Sequence, residues 1–196
     1  MELGRGEASP RQILVFTEGE ATEKDYVEHW HGKNRKHVRV TVDKFHGSPR
    51  RLVEEAIKRR AQDQYEERRG RGRARDEYWC VFDRDSHDDF DQAIATAASN
   101  DIRVAYSNPC IELWFILHFR DQTAWIHRHD SQKESKRLLK CEKRLTRQAL
   151  ESLDGSFDDA KHRALQLDGR HQGNDSPPRS NPSSSVWELV ERISIR

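Results

Sequence analysis

Four acidic positions in this sequence are placed where side chains could share one task. Glu18 follows the apolar run Ile13-Leu14-Val15-Phe16, Asp83 and Asp85 follow Tyr78-Trp79-Cys80-Val81-Phe82, and Glu112 interrupts the run from Cys110 to Leu117. Asp83 and Asp85 stand two positions apart, which in extended chain puts both carboxylates on the same face. Like charges at that spacing repel and are costly to desolvate, so the pattern points to a hard cation that neutralises them. An all-oxygen donor set favours Mg²⁺ or Mn²⁺ over zinc. Each acid also has a structural reading. An Asp at a strand end can cap the next helix, and Glu112, in the first turn after Asn108-Pro109, could instead meet free backbone N–H groups. Both readings of Glu112 stand on the residues alone.

The elements that must position these acids follow from hydrophobic periodicity. Ile13–Phe16 reads as a buried strand ending at Glu18, and Thr22 as the cap of a helix carrying Tyr26, Val27 and Trp30. Val38–Val42 alternates with period two and reads as a second strand. Ser48-Pro49 opens a helix with Leu52, Val53, Ala56 and Ile57 on one face. A mobile Gly/Arg loop at Gly70–Arg73 then leads to a third strand, Tyr78–Phe82. A helix over about Asp88–Ala98, ended by Asn100, and a fourth strand, Ile102–Tyr106, complete an alternating pattern that predicts an α/β fold with a mainly parallel sheet. In such a sheet, loops after the carboxyl ends of strands converge on one edge.

The rest reads as helices. Ser131-x-x-Glu134 is a capping box before Leu138, Leu145 and Ala149, with a stop at Gly155. A further helix covers Phe157–Leu167, Gly169–Pro182 reads as a flexible loop, and Ser185-x-x-Glu188 enters an amphipathic terminal helix with Val186, Leu189, Val190 and Ile193. The expected division is a metal-binding α/β core over 1–120 and a helical C-terminal extension over 121–196 packed on it, forming one functional unit.

Composition narrows the function classes. The 196 residues are 34% hydrophobic and 35% charged, and no apolar stretch approaches the roughly 20 residues a bilayer needs. With no apolar signal segment at the start, the expectation is a cytoplasmic protein with no membrane partner. Cys80, Cys110 and Cys141 form no C-x-x-C pair and read as reduced thiols. The net charge of +1 selects no partner, but it averages over local separation. Five Asp fall between Asp83 and Asp91, whereas Lys58–Arg75 carries eight basic residues against three acidic ones. An acidic site in basic surroundings suits a cation-dependent reaction on a polyanion. Arg71, Arg73, Arg75, Lys133 and Lys136 could track a phosphate backbone, with affinity falling as salt rises. Lys143, Lys133 and Lys136 could offset charge developing on a phosphate. The paired histidines at 29/31 and 127/129 have no zinc-ligand partner at suitable spacing, and Trp114, Phe115 and Phe119 read as core.

Three motifs together resemble a known family. Thr17-Glu18-Gly19-Glu20-Ala21-Thr22-Glu23, Asp83-Arg84-Asp85, and Ser107-Asn108-Pro109-Cys110-Ile111-Glu112-Leu113-Trp114-Phe115, with the closing Asn181-Pro182-Ser183-Ser184-Ser185-Val186, are similar to the RloB family over nearly the whole chain. The resemblance implies a Toprim-like domain, the metal-binding α/β fold of topoisomerases, primases and OLD nucleases. It assigns divalent metal to Glu18, Asp83 and Asp85, and help with a second ion to Glu23 and Glu112. Cys141-x-Lys143 stands where an aromatic-x-Lys would be expected, in a segment that would give Lys143 a catalytic role. The activity implied is a Mg²⁺- or Mn²⁺-dependent nuclease cutting DNA or RNA in antiphage, abortive-infection defence, sometimes beside an ATPase partner and compatible with a homo-oligomer. The alternatives are a non-catalytic nucleic-acid-binding or regulatory subunit of an ATPase-containing complex, which would bind without cutting, and a nucleotidyl transferase, which would incorporate nucleotide.

Overall fold

The computed structural model of the chain describes residues 9–84 and 87–194. Its first half alternates strand and helix: β1 (Arg11–Thr17), α1 (Thr22–Asn34), β2 (Val38–Val42), α2 (Pro49–Arg68), β3 (Glu77–Asp83), α3 (Phe90–Ser99) and β4 (Arg103–Asn108). Then come α4 (Ile111–Leu117), α5 (Arg128–Leu139), α6 (Arg147–Gly155), α7 (Phe157–Gly173), β5 (Ser183–Ser184) and α8 (Val186–Ile193). The sheet order is β2-β1-β3-β4-β5. Strands β2, β1, β3 and β4 are parallel, and β5 runs antiparallel to β4. This is the expected mixed α/β architecture, a mainly parallel sheet with flanking helices and a helical C-terminal region.

Central strands of a parallel sheet are covered on both faces, so they read as continuous apolar runs. Strand β1 divides its side chains accordingly: Ile13 and Val15 join one cluster, Leu14 and Phe16 the other. Strand β3 does the same, with Trp79 and Val81 on the first face and Tyr78, Cys80 and Phe82 on the second. The second face is closed by Leu52, Val53 and Ala56 of α2 and by Phe90, Ala93 and Ala97 of α3. The first is closed by α1, α4 and the later helices, through residues such as Trp30, Trp114, Leu153, Phe157 and Leu189. Each fully buried Leu or Phe contributes about 1.5–3 kcal/mol, so the later helices share in the main apolar layer. The cysteines carry free thiols, and among the described residues no helix is long and apolar enough to cross a membrane.

Several local expectations need correction. Thr22 is the first residue of α1, not its cap, and its hydroxyl donates to the Lys143 carbonyl at 2.8 Å. No capping box forms at Ser131, because α5 begins earlier, where the His127 ring accepts the His129 N–H. Ser131 is therefore inside the helix and buried, and Glu134 pairs with Arg120 and Arg137. Helix α5 ends at Leu139, with Lys140 in the left-handed region at φ 54°. Leu145 thus precedes a separate helix, α6, which Thr146 caps by accepting the Ala149 N–H.

Helix α7 runs past Leu167 and through Gly169 to Gly173, with Arg170 and His171 in its last turn, where cations suit the helix dipole. What remains of the expected loop is tied down. The Arg179 carbonyl accepts from Arg84 at 2.9 Å and from Asn108 at 2.8 Å. The segment then supplies β5, which places the Ser184 hydroxyl beside that of Ser107 at 3.0 Å.

Candidate functional site

The carboxyl edge of the parallel sheet is assembled by ladder register. The Glu18 N–H continues the β1–β3 pairing by donating to the Val81 carbonyl at 3.0 Å, and the Arg84 N–H donates to Ser107 at 2.8 Å. Glu18 and Asp83 thus leave adjacent strands one residue apart in register. The Asp83 N–H donates to Glu18 Oε2 at 3.1 Å, and His87 Nε2 lies 3.0 Å from Glu18 Oε1, so both oxygens of Glu18 are held. Beyond Glu18 the chain turns at Gly19, with the Thr17 hydroxyl on the Gly19 carbonyl at 2.8 Å. This brings Glu23, in the first turn of α1, back over the strand end, where its Oε1 accepts the Gly19 N–H at 3.2 Å. A Cβ at position 19 would overlap both Glu23 carboxylate oxygens. The absence of a side chain at Gly19 is what lets the Glu23 carboxylate lie this close to the turn.

Glu23, Asp83 and Glu112 line one cavity of about 730 Å³, with Glu20, Arg128, Lys133, Lys136 and Lys143 also in its wall. Glu18 lies behind this wall. Asp83 is 7% exposed, and its carboxyl is raised well above the usual range. Burial is the main cause, followed by the negative charges of Glu23, Glu18 and Glu112, with Arg128 opposing. Glu23 is raised for the same first reason, and Glu112 and Glu18 add to it. Burial and then Glu112 and Asp83 push the Cys110 thiol up. The protein therefore collects four carboxylates, and the charged forms of Asp83 and Glu23 are disfavoured among them. The donor chemistry of such a set is that of a hard divalent cation, although among the described residues no three of these side chains stand close enough together to form a metal-holding group.

Of the residues expected at the site, Glu18, Glu23, Asp83 and Glu112 come together, and Asp85 lies outside the described residues. Lys133, Lys136 and Lys143 face the same cavity; Lys136 pairs with Glu142. Arg71, Arg73 and Arg75 do not join them. They lie in the connection entering β3, at the amino end of the sheet, about 20 Å of strand away, and are paired with Glu66, Asp76 and Asp63. Two neighbours were missed: His87, which holds Glu18, and Arg128, which tempers Asp83. Arg128 sits just inside α5 in a His-Arg-His run, and that position carried no signal of its own.

The fold and this edge define an α/β protein with an acidic, lysine-flanked cavity at the carboxyl ends of parallel strands. Within that class the chain belongs to the RloB-like protein family, whose model matches residues 13–193. Neither curated proteins nor solved structures give a match.

Proposed function

We propose that this protein is a divalent-metal-dependent nuclease of Toprim type, hydrolysing phosphodiester bonds of DNA or RNA in the cytoplasm as part of antiphage defence. The observation that carries the reading is the convergence of Glu18, Glu23, Asp83 and Glu112 on one sheet edge, beside a cavity that also holds lysines. Mg²⁺ or Mn²⁺ bound there would polarise the phosphate and lower the pKa of an attacking water.

The chain's own residues prepare that chemistry. His87 and the Asp83 N–H fix the Glu18 carboxylate, and the Gly19 turn fixes Glu23, so neither must be ordered when substrate arrives. Lys133, Lys136 and Lys143 give the cavity wall cationic side chains that can lie against a phosphate and offset its charge. Glu20, exposed at the rim one residue past the turn, is placed to take a proton from water.

The test is cleavage of supercoiled plasmid and of tRNA by the purified chain with Mg²⁺ or Mn²⁺. Cutting is expected with metal, absent with EDTA, and lost in Asp83→Ala. Failure of calorimetry to detect uptake of either ion, with nucleic acid present, would remove the catalytic account. Binding without cutting, converted to cleavage by an added ATPase partner, would make the chain a subunit of a larger enzyme.

A further inference from the structure

Trp125 is the most exposed large apolar side chain among the described residues, with 67% of its surface in water, while Trp79 and Trp114 are fully buried. It is displayed from backbone that is held on both sides. Gln122 donates to the Ala124 carbonyl at 2.9 Å. Ile126 is buried, and its peptide groups exchange two hydrogen bonds with the Asn181 side chain, at 3.1 and 2.9 Å. An indole presented from clamped chain loses little further freedom when something stacks on it.

Two imidazoles continue the line. The rings of Trp125 and His127 are 6.1 Å apart and tilted by 49°, and those of His127 and His129 are 5.0 Å apart and tilted by 43°. The His127 ring is fixed because it accepts the His129 N–H at 3.2 Å. His129 lines the acidic cavity, where Arg128 and Lys133 stand beside it. A row of rings therefore runs from solvent to the cavity wall and meets cationic side chains there.

We infer that Trp125, continued by His127 and His129, is a stacking platform for unpaired bases, so that the polymer led to the acidic cavity is a single-stranded nucleic acid or an unpaired loop. The link to the cavity rests on the nuclease reading; the platform itself does not. An unpaired base has a free π face for Trp125 while its phosphates reach the basic wall, whereas a base inside a duplex is already stacked on both sides. Separate rings flanked by cationic groups suit bases joined by phosphates better than an apolar peptide, which needs a continuous groove.

The test is binding of short labelled single strands and duplexes, of DNA and of RNA, by the full chain in EDTA, read by fluorescence anisotropy. Single strands are expected to bind more tightly than duplexes. Trp125→Ala should weaken single-strand binding by about fivefold or more, the low end of one base–aromatic stack, with little change for duplexes. Trp125→Phe should retain most of the affinity. Tyr65→Ala is the control, since Tyr65 is 45% exposed on α2 but covered by Arg69 at 4.7 Å, and it should change nothing.

Comparing the two sugars shows which polymer is favoured. Equal single-strand affinity in wild type and Trp125→Ala, or a preference for duplex, overturns the inference. So does loss of self-association in Trp125→Ala without loss of binding, which would make the indole an interface between copies. Trp125-dependent binding without cleavage under any metal would remove the nuclease reading and leave the platform. Cleavage with Trp125-independent binding would do the reverse.

Discussion

Glu77 and Asp83 are the first and last residues of β3, and the protein buries both, leaving them 8% and 7% exposed. Around Glu77 it supplies the counter-charge itself. Arg192 reaches both carboxylate oxygens at 2.8 and 3.2 Å, Arg103 and Arg11 lie at 3.5 and 3.7 Å, and the Trp79 indole N–H donates at 2.9 Å. Arg103 also stacks over that indole at 5.6 Å. Around Asp83 three more carboxylates gather, and Arg128 is the weakest of the influences on it. One strand thus carries a buried acid with its cations built in and another among further acids. A buried acid that serves only the fold is paired, because an unpaired charge there costs several kcal/mol. Acids crowded against that rule, in a cavity, have the character of a functional site.

The largest effect expected at either end is on chemistry. Asp83→Asn keeps the shape and removes a charge, so metal-dependent cleavage should fall to background in a nuclease assay. The same substitution should raise the melting temperature of the metal-free protein, because it relieves burial and like-charge repulsion. It should also abolish the wild type's stabilisation by divalent ions, which reaches about 2.7 kcal/mol when metal is at a hundred times its dissociation constant. Glu77→Gln should act with the opposite sign. It leaves Arg11, Arg103 and Arg192 crowded on a neutral amide, and because these arginines are partly in water urea titration should show a loss of about 1–3 kcal/mol. The melting-temperature response to Mg²⁺ should survive. Equal responses of the two variants to metal would erase the distinction between the ends of β3.

His118 shows a third way to bury an ionisable group, which is to keep it neutral. It lies on the first face of the sheet, edge-on to Trp114 at 4.8 Å between centroids, with Nδ1 3.2 Å from the Ser156 hydroxyl. Burial drives its pKa down to about 3 from the ordinary 6.5. Between those values the unfolded chain binds a proton that the folded chain refuses, so stability falls as pH drops below about 6.5. At pH 5 the loss from this one group is about 2 kcal/mol relative to pH 7. Urea titrations at both pH values should show that loss in the wild type, while His118→Gln, though less stable overall, should lack this share of it.

Legibility in the sequence tracked how local each cause is. Strands β1 to β4 and helix α2 were readable because their apolar residues repeat at strand or helix period and Ser48-Pro49 marks a helix start. Strand β5 has two residues, too few for any period, and exists only because Ser183 and Ser184 pair with Asn108 and Ser107. The start of α5 was misplaced because a histidine ring does the capping, a role usually taken by Ser, Thr, Asp or Asn. At the site, Glu18 and Asp83 were visible as acids closing apolar runs and Glu112 as an acid interrupting one, while Glu23 took its role from family resemblance. The contact of His87 with Glu18 spans 69 positions. Nor does sequence alone separate Trp125 from the core tryptophans, since exposure depends on what packs over a side chain.

The smallest effect expected is also the most specific to the acidic end. Gly19 has no side chain to offer a ligand, but it leaves room for the Glu23 carboxylate, which sits where a β-carbon would be. Gly19→Ala should push that carboxylate aside and cost it the Gly19 N–H, while the apolar layers, which do not include this turn, stay intact. The expected result is a loss of about tenfold in divalent-ion affinity by calorimetry, the scale seen when a group orienting a ligand is removed, with little change in the melting temperature of the metal-free protein. The amino end of β3 offers no counterpart: Glu77 is held by side chains from three other segments, so no single backbone position there governs it. If Gly19→Ala bound ions as the wild type does, Glu23 would leave the proposed ligand set, and Glu18, Asp83 and Glu112 would have to hold the cation without it.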